Sequence, residues 1–158
     1  MARNVLITGG NSGIGYEMAL ALAKQGDHVI IAARSEGKSQ EAISKIKAAV
    51  PSAQVESLPL DLADFGNIDQ FAKSLLAKMP VIDILILNAG LYTLKLGTLA
   101  NGYESMMGVM HFGHFRLARH LLDAVKNATQ GRIVVTSSMI HKLGKIDEAS
   151  FTDPSKHK

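Results

Sequence analysis

The sequence predicts an α/β fold built on a doubly wound, all-parallel sheet. Three observations carry that expectation. Five short apolar runs alternate strictly with longer segments of helical period. The connections between them are short, as in repeated strand–helix–strand units with right-handed crossovers. Several runs are apolar on both faces, the pattern of strands covered by helices on two sides.

Taken in order, the first strand is expected at Asn4–Thr8 (NVLIT), straight after the N-terminus. The first helix, 14–25, carries Ile14, Met18 and Leu22 at fourfold spacing. His28–Ala33 is the second strand, and 39–50, with Ile43, Ile46 and Val50, the second helix. After a third strand at 54–58, Ile68, Phe71, Ala72, Leu75, Leu76 and Met79 follow the i, i+3, i+4, i+7 template of an amphipathic helix, with Asp64 as its N-cap. The fourth strand spans 83–87. A single long helix is expected over about 102–127, with Gly113, Leu117, Leu121 and Val125 at fourfold intervals. The fifth strand is 132–136. One domain covers 1–146, and the polar segment 147–158 reads as a loop or frayed tail.

Bulk composition narrows the function classes. Of 158 residues, 47% are apolar and 20% charged, an ordinary globular balance. Seventeen basic against fourteen acidic residues give a net charge of +3, dispersed along the chain, with only 5% aromatics and no Trp. A nucleic-acid surface would need clustered Lys and Arg with stacking aromatics, so no nucleic-acid partner is expected. No apolar run is long enough to span a bilayer. The first strand begins too soon after Met1 for a signal peptide, and a cytoplasmic location is expected. With no cysteine there is neither a disulfide framework nor a thiolate metal site. His111 and His114 are three apart rather than four and have no carboxylate at zinc-site spacing, so no metal site is expected; packed or hydrogen-bonded histidines are.

The chemistry concentrates at strand ends. Residues 7–15, ITGGNSGIG, put four glycines between the first strand and the first helix. Ligands of open parallel sheets collect at the carboxyl ends of the strands. There Gly9 would allow the tight turn, Gly13 and Gly15 a close approach of ligand and helix, and the first helical turn a positive end for a pyrophosphate. The loop is not a Walker loop, because Tyr16 rather than Lys follows the last glycine, and its G-G-x-x-G-x-G spacing is not GxGxxG. Strand two ends on Arg34, a basic residue suited to a 2′-phosphate where a site for NAD would want an acid, although Arg34 could equally be a solvated loop arginine. Strand three runs into Asp61 and Leu62, suited to the edge and face of an adenine, although Asp61 could equally cap a turn. Strand four ends on Asn88, Ala89 and Gly90, and strand five on Ser137 and Ser138. All five turns fall on one rim.

TGGNSGIG, LNAG and RIVVTSS together resemble the TGxxxGIG, NNAG and serine-strand motifs of the short-chain dehydrogenase/reductase family. GVMHFGHFRLARHLL and SSMIHKLGKID look most like its retinol-dehydrogenase-like branch. The resemblance implies a Rossmann-type sheet, its first five strands in order 3-2-1-4-5, with the C-terminal part of the family fold absent. It implies that Gly9, Ser12, Gly13, Ile14 and Gly15 hold the cofactor phosphates, and that Arg34, with Asn11, favours NADP over NAD. Asp61 and Leu62 would flank adenine, and Asn88, Ala89 and Gly90 the nicotinamide-side ribose. Ser138 would orient the oxygen of a small carbonyl or alcohol substrate.

Two departures stand out. The family's YxxxK pair would follow Ser138, whereas the tyrosines here are Tyr16, Tyr92 and Tyr103; and Met110 stands where the family's helix carries asparagine. A thioether cannot make an amide's hydrogen bonds. The sequence is therefore read as the cofactor-binding part of an NADP(H)-dependent oxidoreductase. The rival is a non-catalytic nucleotide-binding module that pairs with another chain or itself. A methyltransferase fold is the weaker rival, because it would want an acid near Ala33 and Arg34.

Overall fold

The computed structural model describes residues 2–93, 97–139, 142 and 147–156. Five parallel strands, β1 (Asn4–Thr8), β2 (His28–Ala33), β3 (Val55–Pro59), β4 (Ile84–Leu87) and β5 (Arg132–Val135), form one sheet in the order β3-β2-β1-β4-β5. The order reverses beside β1, so a crevice opens between the loops that follow β1 and β4. In register, Leu6 of β1 lies beside Ile30 of β2 and Leu85 of β4.

Alternate residues of the central strand face two separate cores, because side chains in a strand point to opposite faces. On one face Leu6, Ile30 and Leu85 pack with Ile68 and Leu75 of α3 (Phe65–Lys78) and with Leu117 and Leu121 of α5 (His114–Lys126). On the other, Val5, Ile7, Val29 and Ile31 pack with Ala19 and Ala23 of α1 (Gly13–Lys24) and with Ile43 and Ile46 of α2 (Glu36–Ala49). The start of β1 is pinned at two points. Arg3 donates to the buried Asp27 carboxylate at 2.6 and 3.0 Å, and the Asn4 N–H donates to Asp83 at 2.8 Å. The guanidinium beside Asp27 holds that carboxyl below its ordinary range.

The helix expected over 102–127 is interrupted. A single turn, α4 (Ser105–Met107), is capped by Glu104, whose carboxylate accepts the Met106 and Met107 N–H groups at 2.8 and 2.9 Å. A wider π-helical stretch, Gly108–Gly113, then leads into α5. Both ends of that stretch are closely packed: a Cβ on Gly113 would run into the Leu62 carbonyl oxygen, and one on Gly108 into Leu99. Residues Glu148–Phe151 form a 3-10 turn whose Phe151 carbonyl accepts the Glu104 N–H at 2.7 Å. Phe151 also meets Phe112 edge-on, so this part of the C-terminal segment docks against the π stretch.

Candidate functional site: a cleft along the strand ends

The turn after β1 is shaped by what approaches it. Gly9 and Gly13 have φ of +68° and +53°, a region L side chains rarely enter. A Cβ on Gly9 would come within 2.9 Å of the Ala89 Cα, and one on Gly15 within 2.6 Å of the Asn88 side-chain nitrogen Nδ2. The helix start and the 88–90 turn can therefore meet only because those side chains are missing. The N-termini of α2, α3 and α4 are closed by Ser35, Asp64 and Glu104 side chains, but the Ser12 side chain takes none of the N–H groups of α1. Those first-turn amides and the positive end of the helix face the cleft.

The cleft measures about 480 Å³, within the range of small-molecule sites. It is bordered by Gly9, Asn11, Ser12, Ile14 and Gly15, by Arg34 after β2, by Asp61 and Leu62 after β3, and by Asn88, Ala89 and Gly90 after β4. Eleven of the residues singled out from sequence thus share one cavity. Gly13 does not border it; its φ shapes the loop from outside. Ser138 does not border it either. It is exposed beyond β5, and Thr136, two residues earlier, closes that end. His141, which follows the serine strand and would complete with His111 and His114 the metal triad their spacing argues against, lies outside the described residues.

Asp61 caps a turn as well as lining the cleft: one carboxylate oxygen accepts the Ala63 N–H at 3.0 Å. Asn11 donates to Ser39 of α2 at 3.4 Å, which draws the glycine loop toward the first turn of α2. Arg34 is joined at the cleft by Ser35 and Lys38, neither singled out from sequence. Lys38 falls one helical turn beyond the strand end, a signal visible only once the start of α2 is fixed.

His114 is a packed, hydrogen-bonded histidine, as expected, and its meeting with Thr8 at the end of β1, which no sequence signal gave, organises the floor. The Thr8 hydroxyl oxygen accepts the Asn88 and Ala89 N–H groups at 2.9 and 3.0 Å and lies 2.9 Å from His114 Nε2. Asn88 in turn donates to the Thr8 carbonyl at 3.2 Å and accepts from Thr136 Oγ1 at 3.2 Å, tying β1, β4 and β5 together at the rim.

A family model described as short chain dehydrogenase matches residues 3–153, nearly the whole chain. The chain belongs to the short-chain dehydrogenase family. Among curated relatives of this chain are bovine retinol dehydrogenase 12, 42% identical over 142 residues (90% of this chain, 45% of the relative), and human retinol dehydrogenase 13, 38% identical over 145 residues (92% and 44%). These similarities support the retinol-dehydrogenase-like branch. The chain spans less than half the length of these two relatives. Among solved structures, an uncharacterised protein from Mycobacterium paratuberculosis superposes with a TM-score of 0.79 at 36% identity, covering 99% of this chain and 53% of the other. A short-chain dehydrogenase from Shigella flexneri, complexed with NADP, superposes at 0.76 with 28% identity, covering 90% and 62%.

The cleft fits the nicotinamide dinucleotide that short-chain dehydrogenases bind. Bare glycines, unclaimed helix-start amides and a volume suited to a small-molecule ligand all lie along one crevice. No helix among the described residues is long and apolar enough to cross a membrane.

Proposed function

We propose that the chain forms the cofactor-binding part of an NADP(H)-dependent oxidoreductase acting on a small carbonyl or alcohol substrate. The observation that carries this reading is the pairing, in one cleft, of the uncapped start of α1 with Arg34 after β2 and Lys38 in the first turn of α2. The first suits a pyrophosphate; the two cations suit a 2′-phosphate. The similarity to the retinol dehydrogenases and to the Shigella protein, which is complexed with NADP, supports it.

When bound, the nicotinamide supplies or accepts the hydride. This chain's residues do the rest. Gly9, Ser12, Ile14 and Gly15 hold the phosphates. Asn11, Arg34 and Lys38 read the 2′-position, Asp61 and Leu62 the adenine, and Asn88, Ala89 and Gly90 the second ribose. Ser138 orients the substrate oxygen. Met110 retains a backbone carbonyl but offers no amide, and no tyrosine follows Ser138 in these 158 residues. Those two facts favour a second reading for this polypeptide by itself, a nucleotide-binding module with negligible turnover. Following NADPH oxidation with simple aldehydes should give no rate above background, and robust turnover would overturn that reading.

Calorimetric titration with NADPH against NADH tests the cofactor assignment. NADPH should bind more tightly, and Arg34→Ala should weaken NADPH binding about tenfold, the loss expected for one charge-assisted hydrogen bond. Equal affinities of the unaltered chain for the two cofactors would remove Arg34 from the reading.

A further inference from the structure

His114 borders no part of the cleft, yet it is only 6% exposed and both its ring nitrogens have partners. Nδ1 lies 3.0 Å from the Met110 carbonyl, one helical turn back. A carbonyl can only accept, so Nδ1 carries the hydrogen, and in the neutral ring Nε2 must then accept. Its donor is the Thr8 hydroxyl at 2.9 Å. A hydroxyl has one hydrogen and two lone pairs, and both lone pairs of Thr8 are used by the Asn88 and Ala89 N–H groups. The inventory closes only while His114 is neutral.

We propose that His114 is a positioning residue for the dinucleotide cleft: through Thr8 its neutral ring holds the 88–90 turn in shape, and protonation of the ring releases that turn. The proposal rests on the dinucleotide reading for its effect on binding, but not for the hydrogen-bond chain itself. On protonation Nε2 becomes a donor. Three donors then compete for two lone pairs of Thr8, whose own hydrogen is left with the Ile86 carbonyl at 3.4 Å. One amide of the turn loses its partner. Because Asn88 also bonds the Thr8 carbonyl and Thr136, the disturbance reaches the glycine loop and the β5 end of the cleft.

Charged neighbours do not override this. β1 and residues 84–90 carry none, and Asp83 is engaged with Asn4 at the far end of β1. On α3, Asp69 is held by Arg116 and His120, while Lys73 and Lys78 are exposed. On the helix itself His111, Arg119, Asp123 and Lys126 are exposed, as is Arg132 of β5, and Asp61 takes the Ala63 N–H. Burial is the main influence on the ring, and it lowers the His114 pKa.

The test uses the full chain, with NADPH as the probe and nitrogen NMR of the ring and backbone. His114→Phe removes the acceptor. His114→Gln keeps an acceptor that does not titrate. At neutral pH His114→Phe should weaken NADPH binding about five- to tenfold, as expected when the buried Thr8 hydroxyl loses the acceptor that orients it, and His114→Gln should recover most of that loss. Below neutral pH the unaltered chain should lose affinity relative to His114→Gln; titration of the cofactor's own phosphate is common to both and cancels. Without cofactor, the Asn88 and Ala89 amide resonances should shift in step with the His114 ring. Amide resonances that ignore both the ring's titration and the His114→Gln change would overturn the proposal, as would His114→Gln and the unaltered chain sharing one pH profile. If NADPH binds under no condition, the dinucleotide reading fails, and the cofactor-free amide resonances still decide the role of His114.

Discussion

At the scale of single residues, the two glycines flanking Ile14 make a sharp comparison. A Cβ on Gly15 would strike the Gly9 carbonyl oxygen, backbone with little room to yield, and come within 2.6 Å of the Asn88 side-chain nitrogen Nδ2. A Cβ on Gly13 meets nothing within 4 Å, but φ there is +53°. Gly15→Ala should therefore cost about 1–3 kcal/mol through overpacking and move α1 off the 88–90 turn. Gly13→Ala should cost about 1 kcal/mol through backbone strain and leave the cleft its shape. Denaturant melts should rank the two in that order, and NADPH affinity should fall much further for Gly15→Ala. A reversed order would mean that α1 does not approach the turn as closely as described. The same residues show how far the site was legible. Gly9, Arg34, Asp61 and Asn88 stood out because each sits at a strand end, where residue type alone suggests a role. The link between Thr8 and His114 did not, although Thr8 ends a strand and a packed or hydrogen-bonded His114 is expected, because it is a contact between two elements 106 residues apart. No local pattern encodes that distance.

Among the elements, α3 and α5 are clasped at the surface as well as in the core. Arg116 donates to both oxygens of Asp69 at 2.7 Å while its guanidinium lies 5.2 Å from the centre of the Phe65 ring, and His120 meets the same carboxylate at 2.8 Å. Arg116 above all pulls the Asp69 carboxyl down from 3.8 to about 2. A depressed folded-state value means the contribution is complete above the unfolded value and fades as pH falls from about 3.8 through about 2. Denaturation curves of Asp69→Asn and the unaltered chain should thus be separated at neutral pH and converge toward pH 2, the gap also narrowing with salt because the pair is solvent-exposed. A gap that persisted through pH 2 would assign the effect to packing instead. Elements were legible where periodicity defines them. α3 begins after its Asp64 cap and buries Ile68, Phe71, Ala72 and Leu75 as its spacing requires. The π stretch was not legible, because it leaves Gly113, Leu117, Leu121 and Val125 at the same intervals as an unbroken helix. Its two ends, Gly108 and Gly113, are where Leu99 and Leu62 come closest, a tertiary contact that the intervals do not encode.

Across the whole molecule the sheet is asymmetric. At the centre β1 is buried on both faces, as parallel strands normally are, whereas all four residues of β5 are exposed, Val134 at 44% and Val135 at 65%. Hydrogen bonds with β4 occupy the inner edge of β5, and among the described residues no strand pairs with its outer edge. An apolar strand with an open row of N–H and C=O groups is a template for pairing with another chain. At micromolar concentrations, sedimentation velocity on this 158-residue polypeptide should show concentration-dependent association. Val134→Lys should weaken it at least tenfold, because a lysine on the edge makes strand addition bury a charge. The far-UV circular dichroism should not change, since Val134 contributes little to either core. Phe115 on α5, 60% exposed, supplies the control. If Phe115→Lys disperses the assembly and Val134→Lys does not, the contact runs through the helix face and the sheet edge is protected in some other way. If Val134→Lys alone disperses it, the outer edge of β5 is where this sheet continues.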